Sequence, residues 1–157
     1  MIASGDLEIH VSRTFNAPCE LVFKALTTPE MLKHWFGGPD GWTLITCAFD
    51  ARVGGSYRYV WRNEQDGSEM GVGGTILEFN PPENYTCTER FDQPWYPGDA
   101  RTALELTGKG GSTLLSLTIR YESQKARDAV LRTPMKEGMA TGYDRLERYL
   151  STVGTPA

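Results

Sequence analysis

Between Met135 and Leu150 the apolar positions Met135, Met139, Tyr143, Leu146 and Leu150 recur at steps of four, four, three and four residues. Lys136, Glu137, Asp144, Arg145, Glu147 and Arg148 fall on the opposite side. This period predicts an amphipathic helix over 134–150, about 25 Å long, with one apolar stripe and a solvated back. Pro134 suits the first helical position and Thr133 the N-cap. The stripe mixes two flexible thioethers with a tyrosine, and Gly138 and Gly142 flank it, so the helix is expected to lie close to a sheet and pack against it incompletely. It reads either as plain core or as one wall of a cavity.

Elsewhere the period is mostly two. Leu7, Ile9, Val11, Arg13 and Phe15 share one face of an opening strand over 7–15. NAPCELVFKALTTPEMLKHWFGG then holds two short helices, one after Asn16 with Pro18 in its first turn, the other capped by Thr28 with Pro29 at its first position. From Trp42 to Tyr121 turn signals separate six strands, near 42–51, 55–63, 68–79, 84–91, 100–107 and 112–121, and the short connections imply an antiparallel meander. The expected fold is α+β: a curved seven-stranded antiparallel sheet, two short helices after its first strand, and a long carboxy-terminal helix. All of 1–157 forms one domain, with 152–157 a flexible tail. The loop DQPWYPGD, residues 92–99, is longer than a hairpin requires and is a candidate rim or lid.

The strand alternation assigns an inner face. Tyr57, Tyr59 and Trp61 point one way, Met70, Val72 and Ile76 share a face, and so do Tyr85, Cys87 and Phe91. Glycines around position 73 allow strong curvature, and one helix cannot fill a strongly curved sheet. The candidate ligand contacts are therefore Tyr57, Tyr59, Trp61, Met70, Val72, Cys87, Glu89, Phe91, Trp95, Met135, Met139 and Tyr143. Two charges interrupt this face, Arg13 among Ile9, Val11 and Phe15, and Glu89 between Cys87 and Phe91. A charge facing an apolar interior costs several kcal/mol unless paired or hydrogen-bonded, so each needs a partner, a water or a ligand. They are candidates to serve each other.

Composition narrows the chemistry. Twenty acids against sixteen bases give a net charge of −4, and no Lys/Arg cluster offers a footprint for nucleic acid. Cys19, Cys47 and Cys87 form neither a disulfide framework nor a metal-binding pattern, and no cofactor is implied. The amino terminus lacks a basic start followed by an apolar run, and no stretch is long and apolar enough to span a membrane, so a cytoplasmic location is expected. His10 falls on the outer face of its strand and His34 beside Trp35 in a short helix. No GxSxG, HExxH, GxGxxG or P-loop pattern is present.

The segments SRTFNAPCELVFKALTTPEMLKHWFG, FDARVGGSYRYVWRNEQDGSEMGVGG with PPENYTCTERF, and EGMATGYDRLERYL, in this order and spacing, resemble the activator of heat-shock-protein-90 ATPase homologue-like family (carboxy-terminal domain type) of the START/SRPBCC, or birch-pollen-allergen-like, superfamily. The resemblance implies a helix-grip fold. Pro134 departs from the family's usual continuous or glycine-broken helix, so 123–132 is expected to form a separate short helix. Superfamily resemblance also implies an internal cavity for a small hydrophobic or aromatic molecule. The alternatives are a cavity-based enzyme of cyclase or hydrolase type, with Glu89, Arg13 or a tyrosine as acid, base or oxyanion partner, and a chaperone-linked interaction module. A homodimer stays open.

Overall fold

The computed structural model describes residues 2–37, 40–92 and 98–153. β1 (Ile2–Ser4) and β2 (Glu8–Phe15) lead into α1 (Cys19–Thr27) and α2 (Pro29–Trp35). There follow β3 (Trp42–Phe49), β4 (Ser56–Asn63), β5 (Glu69–Asn80), β6 (Asn84–Phe91), β7 (Ala100–Lys109) and β8 (Ser112–Arg120), then α3 (Gln124–Leu131) and α4 (Met135–Val153). All strand pairs are antiparallel in one curved open sheet of order β1-β2-β8-β7-β6-β5-β4-β3, which holds α4 across its concave side in a helix-grip fold.

Among the described residues the sheet has eight strands rather than seven. β1 is short, its Ile2 is exposed, and it pairs Ile2 with His10 and Ser4 with Glu8 across a turn containing Gly5 at φ 55°. That backbone conformation suits glycine. Arg127 of α3, itself buried, donates to the carbonyls of Gly5 and Glu8 at 3.0 Å each and so ties this turn to the body.

The core follows the alternation. Ile9 and Phe15 of β2, Ile76 of β5, Leu115 and Ile119 of β8 and Leu146 of α4 are fully buried. Pro29 occupies the start of α2 with Thr28 at its N-cap, and Trp35 anchors that helix by donating its indole N–H to the Ala25 carbonyl at 3.0 Å. α3 and α4 are separate helices, as Pro134 implies. Ser123 caps α3 by accepting the Ala126 N–H at 3.0 Å, whereas the Thr133 hydroxyl, expected to cap α4, instead donates to the Val130 carbonyl at 2.7 Å.

Arg13 and Glu89 do not pair. Arg13 reaches across to α4 and binds Asp144 and Glu147 at 2.8 Å each. Both acids lie on the part of α4 expected to be solvated. They remain largely exposed, yet near enough to the stripe for a long guanidinium to span the gap. Its guanidinium also lies 5.6 Å from the Phe15 ring, and Phe15 meets Tyr143 edge-on at 5.8 Å.

Candidate functional site

The sheet register builds the site. Phe49 of β3 stands opposite Tyr57 of β4, and Tyr57 opposite Gly74 of β5. The β5–β6 ladder steps from Gly73–Arg90 to Ile76–Cys87, which sets Gly74 across from Glu89; on the other side Glu89 faces Ala100 of β7. Glu89 therefore has a glycine and an alanine as cross-strand neighbours, and no bulky side chain closes over it from either strand. Cys87, before it on the same face, touches Thr102 with sulfur and hydroxyl oxygen 2.8 Å apart, and Tyr57 donates its hydroxyl to the Thr88 carbonyl at 2.6 Å.

Glu89 has no hydrogen bond or salt bridge among the described residues. Loss of water alone pushes its carboxyl up to about 7. Tyr57 and Tyr85 lie within its electrostatic reach, and desolvation suppresses their ionisation as it does that of Tyr59 and Tyr143. Tyr85 lies within electrostatic reach of Glu89, of Tyr143 on α4 and of Tyr59, so these groups converge from two strands and a helix. The hydroxyls of Tyr59, Tyr85 and Tyr143 make no hydrogen bond to the described residues, although Tyr59 and Tyr143 are only 8% and 9% exposed. Buried polar groups are ordinarily satisfied, so several orphans converging on one face mark a place for water or a ligand.

The predicted contacts divide. Tyr57, Tyr59, Cys87, Glu89 and Tyr143 belong to this convergence. Val72 is buried beside it, opposite Phe91 in the register and opposite Tyr59. Trp61 is buried farther along β4, its N–H donated to the Phe36 carbonyl at 2.9 Å and its ring edge-on to Phe36, and so supports α2. Met70, Phe91, Met135 and Met139 are half-buried: each packs on the core yet keeps part of its surface open to solvent. Met135 and Met139, expected to be buried with Tyr143 and Leu146, are thus more open than the rest of their stripe. Trp95 lies outside the described residues. Tyr85 was not among the predicted contacts, though its alternation with Cys87 and Glu89 was the signal that could have found it. Two hollows elsewhere, one lined by Arg101, Arg120 and Glu122 and the other by Glu83, Asn84 and Glu105, include none of the predicted contacts.

The chain matches the family described as Activator of Hsp90 ATPase homolog 1-like protein over residues 16–151. It belongs to this family. Solved structures agree in fold. A Rhodobacter sphaeroides protein is 28% identical over 98% of each chain with a TM-score of 0.90, and a Nitrosomonas europaea protein is 25% identical over 96% of this chain and 97% of that one, with a TM-score of 0.82. A Silicibacter pomeroyi protein that bears the family's name is 19% identical over 92% of this chain and 98% of its own, with a TM-score of 0.73, and shows the fold alone. No curated protein matches the sequence. Among the described residues no helix is long and apolar enough to cross a membrane, and no three metal-binding side chains cluster.

Proposed function

We propose that this protein binds a small hydrophobic or aromatic molecule in a cavity between the concave sheet and α4. The observation that carries the reading is the convergence of Glu89 with three tyrosine hydroxyls that lack partners among the described residues, on an otherwise apolar face. Half-buried Met70, Phe91, Met135 and Met139 supply adaptable apolar walls, and Tyr57, Tyr59 and Tyr85 supply aromatic ones. The ligand's body replaces solvent against these walls, and its polar end satisfies the orphans.

Titration with neutral N-phenyl-1-naphthylamine tests this. Saturable one-to-one binding, with a rise and blue shift of probe emission and a change in tryptophan emission, is the expected result. No saturable binding overturns the reading. A second reading, catalysis in the same cavity, is favoured by one observation: a carboxyl that exchanges its proton near neutral pH is suited to general acid–base work.

A further inference from the structure

Glu89 is an acid on the inner face, and among the described residues no cation pairs with it. Arg13, which enters the same side of the sheet, is committed to Asp144 and Glu147. The arginines of β4 and β6 alternate to the opposite face and pair there, Arg58 with Asp92, Arg62 with Glu69 and Arg90 with Asp99, and Arg101 of β7 stands opposite Thr88, out of step with Glu89. Residues 93–97, Gln-Pro-Trp-Tyr-Pro, contain no basic side chain. What surrounds the carboxyl instead is aromatic. Tyr57 and Tyr59 lie with ring centroids 5.5 Å apart, Phe49 lies 6.2 Å from Tyr57 and 5.9 Å from Tyr85, and the cross-strand neighbours Gly74 and Ala100 set no charged side chain opposite the carboxylate.

We propose that the polar end of the ligand is a cation, an organic amine or ammonium on an apolar body, seated against the Glu89 carboxylate and the tyrosine rings. This rests on the cavity reading above and names its substrate class. A desolvated carboxylate is costly when alone and is compensated by an opposite charge in contact. Aromatic faces attract the same charge through their quadrupoles, by an amount that grows as water is excluded. An anionic ligand would find repulsion and no counter-charge. A neutral one would leave the carboxylate uncompensated.

Four probes sharing one body separate these cases: 4-phenylbutylamine, its trimethylammonium analogue, 4-phenylbutanol and 4-phenylbutyrate. Affinities are measured by calorimetry at pH 8 on the wild-type protein and on Glu89→Gln. Both cations should bind about tenfold or more tighter than the alcohol, and the carboxylate weakest. In Glu89→Gln the cation-to-alcohol ratio should fall to about one to three while the alcohol keeps its affinity. Alcohol or carboxylate binding as tightly as the cations overturns the cation assignment; that outcome would leave the cavity reading standing if N-phenyl-1-naphthylamine still binds. If neither the four probes nor the naphthylamine bind, both fail. The wild-type order decides even if the variant does not fold.

Discussion

Glu89 is held neutral at a pH where a solvated glutamate is ionised, and the sign of the resulting pH dependence is fixed. Its carboxyl sits at about 7 in the folded chain against an ordinary 4.5, so the native state holds the proton more tightly than the unfolded one. The neutral carboxyl contributes its full stability below about 4.5, and this is lost as pH rises towards 7, up to about 3 kcal/mol in all. The facing groups Tyr57, Tyr59, Tyr85, Cys87 and Tyr143 are all shifted upward and stay neutral through this window, and Arg13 stays charged and paired. Glu89→Gln should therefore match the wild type in urea unfolding near pH 4.5 and exceed it by up to about 3 kcal/mol at pH 8. Equal stability at both pH values would show that the carboxyl is solvated. The inward direction of Glu89 was legible from strand alternation alone. Its lack of a partner was not, because Arg13 chose acids on a helix more than a hundred residues away, and helical periodicity counted those acids as solvent-facing.

At the level of elements, glycines that look alike in sequence differ sharply in what surrounds them. A side chain at Gly74 would run into the Thr88 carbonyl, part of the β6 backbone that receives the Tyr57 hydroxyl, whereas nothing lies within 4 Å of the same position at Gly138 on α4. Gly74→Ala should cost about 1–3 kcal/mol by overpacking, and Gly138→Ala should gain about 0.5–1 kcal/mol by helix propensity, both read from denaturant midpoints. A neutral Gly74→Ala would mean that β5 and β6 do not approach as closely as the register requires. Strands β2 to β8 and the break before α4 were readable because alternation, turn residues and Pro134 each leave a local mark. β1 left none: three residues with one exposed isoleucine carry no alternation, and what holds the adjoining turn is Arg127 from the far end of the chain.

For the whole molecule, the family and the helix-grip fold followed from patterns spread along the sequence, whereas the chemistry of the site depends on how α4 lies over the sheet. Met139→Trp tests that placement. Set into a cavity, the larger ring should weaken N-phenyl-1-naphthylamine binding several-fold at a stability cost under about 1 kcal/mol, while in a solid core it would cost about 1–3 kcal/mol. Binding is followed by probe emission and stability by thermal unfolding. The clasp between Arg13 and the pair Asp144 and Glu147 has a consequence for how the molecule comes into being. β2 finds its sheet neighbour only when β8 exists, and α4 follows later still, so nearly the whole chain must be assembled before the aromatic face is covered. Contacts of such long sequence separation form slowly. A nascent chain leaving the ribosome would thus leave part of its aromatic face, Tyr57 included, uncovered until α4 emerges, and that interval is when the protein is most open to aggregation.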